Sequence, residues 1–149
     1  MRGVPAIVWG GNYIGLPASR GWLVWRKTNA APSFAGAELA WTSLDMNVAV
    51  FTSATSPDST EPKVHPTQKP VALMRWCLGF LLNAPTILDP FMGSGTTLVA
   101  CQKEGRAGIG IEKDPEYFDA ACRRVEEAMR QPDLFVAPPT PAPVQEPLL

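Results

Sequence analysis

Short apolar runs alternate along the chain with turn-forming and polar segments, and their spacing predicts an alternating strand and helix architecture. Residues 6–9, 22–25 and 48–51 are apolar runs of strand length bounded by glycine or polar residues, which predicts three buried strands. Gly10-Gly11-Asn12 marks the turn that ends the first of them. Residues 35–43, with three alanines beside Glu38 and Leu39, predict a short helix, and the Ser, Thr and Pro content of 52–62 predicts a solvent loop. An apolar stretch over 69–83 predicts a buried helix, with Pro70 in its first turn and Thr67 as its cap.

From residue 86 onward the rhythm is regular. Residues 86–89 predict a strand, 96–104 a helix closed by Gly105, and 107–111 a second strand. Asp114 caps a last helix that starts at Pro115, with Tyr117, Ala121, Val125 and Ala128 on its apolar face. The segment 86–129 thus reads as a β-α-β-α unit, the nucleotide-binding half of a doubly wound α/β fold. Residues 132–149 contain six prolines and little periodicity, which predicts a Pro-rich disordered tail over 131–149.

Composition narrows the class without assigning a function. With 149 residues, 46% hydrophobic and 18% charged, the chain has the make-up of one globular domain. The apolar stretch at 71–82 is too short to span a bilayer and contains Arg75, and 1–5 lack the apolar core of a signal peptide, so a cytoplasmic location is expected. Cys77, Cys101 and Cys122 are odd in number and widely spaced, so buried thiols are expected rather than disulfides or a zinc site, and no metal is implied. Residues 1–80 hold seven Lys/Arg against four Asp/Glu, and 81–149 six against ten, giving +3 and −4. A weakly basic first half suits a surface that meets phosphates.

The candidate chemistry centres on Asp89 and Glu112. A strand that ends in Asp89 and turns through Gly93-Ser94-Gly95 into a helix puts backbone N–H groups and a carboxylate where a cofactor can approach the main chain. Glu112, 23 residues after Asp89, falls at the end of the next strand, where a carboxylate accepts ribose hydroxyls. The two acids imply a nucleoside with a cationic substituent. A phosphate-binding P-loop is a weaker reading, because Thr96 stands where its Lys belongs; so is a dinucleotide fingerprint, because residue 98 is Leu rather than Gly. His65, the only histidine, also reads as a cap for the buried helix, and no acid or nucleophile motif accompanies it to suggest catalysis. The five tryptophans read as core more readily than as a base-stacking surface.

His-Pro-Thr-Gln-Lys-Pro over 65–70, followed one helix later by Leu-Asp-Pro-Phe-Met-Gly-Ser-Gly-Thr-Thr over 88–97, resembles the cofactor site of amino-directed DNA methyltransferases. The N-terminal part is similar to one branch of that family, through Trp-Gly-Gly-Asn-Tyr at 9–13, Trp-Leu-Val-Trp at 22–25 and a Glu-Leu-Ala-Trp helix at 38–41. The resemblance covers about 4–130 and implies S-adenosylmethionine as cofactor. Asp89, Phe91, Gly93, Gly95 and Thr96 would line the methionine and the turn, Glu112 the ribose, and Lys113 and Asp114 the adenine. His65, Thr67 and Lys69 would surround the methionine end near its carboxylate. Asn12 and Tyr13 would lie on the side of the sheet where the target base enters.

These 149 residues contain no Asp-Pro-Pro-Tyr or Ser-Pro-Pro-Trp, the tetrapeptide with which the family grips the base, so no catalytic residue is assigned. The resemblance therefore implies a doubly wound, Rossmann-like methyltransferase sheet that is incomplete, with its N-terminal strands missing. Residues 4–51 would be the end of the catalytic half and 65–130 the cofactor-binding half. The function implied is methylation of double-stranded DNA, adenine N6 ahead of cytosine N4, by a truncated enzyme whose own activity is not assured. An incomplete product or wrongly assigned start is favoured over a degenerate remnant and over completion by a separate chain. Gln131-Pro-Asp-Leu134-Phe135 resembles the pentapeptides that dock into bacterial sliding clamps, which gives an alternative of another class: a non-catalytic remnant that binds cofactor or clamp.

Overall fold

The computed structural model describes residues 3–30, 35–55 and 64–130. Among these, six strands and three α-helices follow one another in the order β1 (Ile7–Trp9), β2 (Trp22–Lys27), β3 (Ala37–Thr42), β4 (Ala49–Ser53), α1 (Val71–Leu78), β5 (Thr86–Asp89), α2 (Thr96–Lys103), β6 (Ala107–Gly110) and α3 (Pro115–Arg130). A single 3-10 turn, Gly11–Tyr13, follows β1 after Gly10, whose φ of 74° reverses the chain. The pentapeptide with Gln131, Leu134 and Phe135, the whole 131–149 tail and most of the 52–62 loop lie outside the described residues.

The first four strands form one sheet in the order β1-β3-β2-β4, with β3 antiparallel to both neighbours and β4 parallel to β2. Alternation of side chains decides its faces. Leu23 and Trp25 on β2, with Ala40 on β3, point inward and are buried; Leu23 lies directly opposite Ala40, and both are fully buried. The Trp25 indole N–H donates to Ser53 Oγ at 2.9 Å, which satisfies the polar tip of a buried ring.

The helix expected over 35–43 is instead β3. Ala, Glu and Leu favour helix locally, but Ala37–Thr42 has ladder partners on both sides, β1 at 40–42 and β2 at 37–41, and two rows of backbone hydrogen bonds outweigh a preference of a few tenths of a kcal/mol per residue. Glu38, Ala40 and Thr42 then share one face and Leu39 and Trp41 the other.

The second sheet is the parallel pair β5 and β6, registered from Thr86 opposite Ala107 to Asp89 opposite Gly110, with α2 as the crossover. The strand, helix and strand expected from residue 86 onward are all present, Gly105 closes α2 at φ +66°, and Asp114 Oδ1 accepts the N–H groups of Glu116 and Tyr117 at the start of α3. The described strands thus form two sheets rather than one continuous sheet: β1 pairs only with β3, and β5 only with β6.

One hydrophobic cluster joins the halves. Leu23, Trp25 and Ala40 from the first sheet, Leu73, Met74, Cys77 and Leu78 from α1, and Ile87, Val99 and Ala100 from the second unit pack together. Helix α1 is shorter than the 69–83 expected, because past Leu78 the chain tightens into successive turns through Ala84. Pro70 stands at the cap with extended backbone (ψ 141°) rather than inside the first turn, and Thr67 does not cap the helix. Cys77 and Cys101 are buried thiols, and burial pushes them up to about 12 and about 11 respectively. Cys122 is only half-buried. No helix among the described residues is long and apolar enough to cross a membrane.

Candidate cofactor site

The site is built where β5 and β6 end. The Asp89 carbonyl accepts the Ile111 N–H at 2.9 Å and the Ile111 carbonyl accepts the Met92 N–H at 3.0 Å, so the loop after β5 stays tied to the end of β6. Asp89 Oδ1 accepts the Phe91 N–H at 3.1 Å, an Asx turn that starts the reversal at Pro90. The loop then passes through two left-handed glycines, Gly93 at φ 51° and Gly95 at φ 73°. Any β-carbon at position 95 would lie 2.9 Å from that of Ala121 on α3, so both backbone angle and space call for glycine.

Glu112 closes the loop from just past the end of β6. Its Oε2 accepts the Gly93 N–H and its Oε1 the Asp114 N–H, each at 3.0 Å. Its carboxyl is held below the usual range, first by the Asp114 N–H and then, against some desolvation, by the Gly93 N–H. Arg124 braces the loop from α3, donating through Nη1 to the Ser94 carbonyl at 2.6 Å and to Thr96 Oγ1 at 3.1 Å.

His65 covers the loop. Its ring atoms lie 3.5–3.7 Å from where a side chain on Gly93 would begin, and it meets the Tyr117 ring edge-on with centroids 4.3 Å apart. Thr67 orients it, with its N–H and its hydroxyl at 3.2 and 3.1 Å from His65 Nδ1. The structure therefore brings His65, Thr67, Asp89, Gly93, Gly95, Glu112 and Asp114 into one locality. Thr96 is buried behind the loop, Phe91 projects into solvent at 89% exposure, and Lys113 is exposed at the rim.

Lys69 departs from this group. Its ammonium pairs with Glu38 Oε2 on β3 at 3.2 Å and sits 5.6 Å from the Trp9 ring centre. Asn12 and Tyr13 are exposed on the turn after β1. Sequence reasoning missed Arg124 and Glu38. Arg124 was legible as the residue three after Ala121, on the face of α3 that meets the loop; Glu38 was hidden by the helix reading of its segment. Among the described residues no three His, Cys, Asp or Glu groups converge as metal ligands.

Comparison with known proteins identifies the family. Residues 24–123 match the family described as DNA methylase of the N6/N4 type. Over 65 residues the chain is 45% identical to the type II methyltransferase M.HpaI of Haemophilus parainfluenzae, an alignment covering 43% of this chain and 21% of that protein. Over 76 residues it is 40% identical to the type II methyltransferase M.ScaI of Streptomyces caespitosus, covering 50% of this chain and 25% of the relative. The matches thus span about a quarter or less of these relatives' length. The crystal structure of the M1.HpyAVI–SAM complex superposes with a TM-score of 0.53 at 32% identity, covering 70% of this chain and 60% of that one. On the extent of the family match and on these likenesses, the chain belongs to the N6/N4 DNA methylase family.

Proposed function

We propose that this chain carries the S-adenosylmethionine site of a DNA methyltransferase directed to exocyclic amino groups, adenine N6 ahead of cytosine N4. The observation that carries the reading is the closure of the left-handed Gly93–Gly95 loop onto Glu112 beneath the His65 ring. The donor set fits the cofactor. Each Glu112 oxygen accepts one N–H, which leaves lone pairs on both for a ribose diol. Gly93 and Gly95 give the left-handed turn its shape, leaving room for His65 and Ala121 respectively, and Asp89 supplies a carboxylate beside a cationic methionine end. His65 and Thr67 bound that end, Phe91 and Thr96 flank the turn, and Lys113 and Asp114 border the adenine.

When bound, S-adenosylmethionine supplies a methyl group on a positively charged sulfur, open to in-line attack by an amino nitrogen. The residues of this chain bind and orient that donor; the acceptor base needs an Asp-Pro-Pro-Tyr type of segment, which these 149 residues do not contain. In this reading 4–51 end the catalytic half and 65–130 form the cofactor half of a doubly wound, Rossmann-like sheet. Two sheets sharing one core, with β1 and β5 each paired on one side only, support the view that an intervening strand completes it.

Double-stranded DNA is the expected partner. The test is incubation of the chain, and of a longer form carrying the missing tetrapeptide, with radiolabelled S-adenosylmethionine and unmethylated DNA, followed by identification of the labelled nucleoside. Label on N6-methyladenine from the longer form alone is expected. Label from neither form would contradict the methyltransferase reading and favour a non-catalytic cofactor binder. The pentapeptide at 131–135 supports a separate interaction with a sliding clamp: Leu134→Ala with Phe135→Ala is expected to abolish clamp binding, and unchanged affinity would end that idea.

A further inference from the structure

The segment 65–70 is anchored at both ends, in different halves of the molecule. At one end the His65 ring rests on Gly93 and Tyr117. At the other, Lys69 reaches β3 and pairs with Glu38. Between them the chain is compact: the Gln68 N–H donates to the His65 carbonyl at 3.1 Å, and Gln68 Oε1 accepts the Val64 N–H at 3.1 Å. A displacement of Lys69 therefore has little slack to absorb it before it reaches His65.

Glu38 serves two cations at once. Oε1 pairs with Lys27 at 2.8 Å and Oε2 with Lys69 at 3.2 Å, one carboxylate oxygen for each ammonium. All three groups are largely withdrawn from water, with side-chain exposures of 12% for Lys27, 21% for Lys69 and 35% for Glu38. Each ammonium also lies over a tryptophan, Lys27 over Trp25 at 5.1 Å and Lys69 over Trp9 at 5.6 Å, so their stems have fixed courses on the inner face of the sheet. Two half-buried cations held side by side repel each other unless an anion lies between them. Glu38 is that anion.

We infer that Glu38 is a positioning residue for the cofactor site: by holding Lys69 on the four-stranded sheet it fixes the 65–70 segment, and with it the His65 ring over the glycine loop. This rests on the cofactor reading for its consequence in binding, while the positioning itself concerns only this chain. Loss of the carboxylate would free Lys69 to swing away from Lys27 toward water and loosen His65, although Glu38 lies on a different sheet from the β5 and β6 strands that lead to Asp89 and Glu112.

The experiment combines amide hydrogen exchange over 64–70 with titration of S-adenosylmethionine on the 149-residue chain. Glu38→Gln is expected to speed exchange in 64–70 while leaving β5 and β6 unchanged, and to weaken the cofactor roughly tenfold. Lys69→Met is expected to give the same local exchange, and adding Glu38→Gln to it no further loss of affinity; Glu38→Asp restores part of the protection. Wild-type exchange in both single variants, or an equal loss from Glu38→Gln with and without Lys69, would overturn the inference. Should Glu38→Gln fail to fold, Lys69→Met alone decides through its exchange at 64–70. Faster local exchange in a chain that binds no S-adenosylmethionine would uphold the positioning and sink the cofactor reading instead.

Discussion

In the unit β5-α2-β6-α3, segments adjacent in sequence are partners in space, whereas in the four-stranded sheet β1 pairs with β3 and β2 with β4, each across an intervening strand. The unit β5-α2-β6-α3 is held by contacts at a glycine loop: Gly93 to Glu112, Gly95 to Ala121, Ser94 to Arg124. The four-stranded sheet is held by buried side chains on one face, with Leu23 and Ala40 completely enclosed. The glycine loop and the face around Leu23 are thus different regions of one molecule, joined by a shared core and by the 65–70 segment.

That division can be broken by mutation. The largest loss of stability is expected from Leu23→Ala, about 2–5 kcal/mol for a fully buried leucine, read as a lower urea midpoint. Cofactor affinity of the folded fraction should stay near wild type; a parallel fall in affinity would show that the two regions are not separable. Gly95→Ala comes next. Left-handed backbone costs about 1–2 kcal/mol with a β-carbon present, and the contact with Ala121 adds to it. Here the expected signature is reversed, with cofactor affinity falling about tenfold or more for a moderate loss of stability.

Arg124→Met removes the donor to the Ser94 carbonyl and Thr96 Oγ1 while keeping most of the stem. A cost of about 1–3 kcal/mol is expected, with faster amide exchange in 93–96. Protection unchanged from wild type would show that the brace is dispensable. The smallest effect concerns pH. Burial alone would raise the Glu38 carboxyl, but the Lys27 hydrogen bond and the charges of Lys69 and Lys27 outweigh it and hold the group below the ordinary 4.5. The contribution of the pair is therefore full above that value and is lost as pH falls through the lowered one. The stability difference between wild type and Glu38→Gln should accordingly be constant near neutrality and shrink in acid; a difference that grew in acid would refute the assignment.

The same contrast explains what the sequence disclosed. Asp89, Gly105, Asp114 and Pro115 act on their near neighbours, through an Asx turn, a helix closure and a helix start, so the second unit was legible residue by residue. Glu112 is marked in the sequence by its spacing from Asp89, by its place after a predicted strand and by the family resemblance. Residues 37–42 were misread because their strand character comes from β1 and β2, which are distant in the chain, while their local preference is helical. Thr67 suits a helix cap locally and the resemblance sets it beside His65; in the fold its N–H and hydroxyl face His65, a contact that depends on the ring being held at Gly93 and Tyr117. The attachment of Lys69 to Glu38 depends on β3, which the helical preference of 35–43 conceals.

The most direct measurement is calorimetric titration of S-adenosylmethionine into the 149-residue chain and into its Glu112→Ala variant. One equivalent bound by the wild type, with affinity sharply reduced when the carboxylate on the Gly93 and Asp114 N–H groups is removed, is the expected result. No binding by a folded wild type, or binding indifferent to Glu112, would contradict the assignment of this loop as the cofactor site.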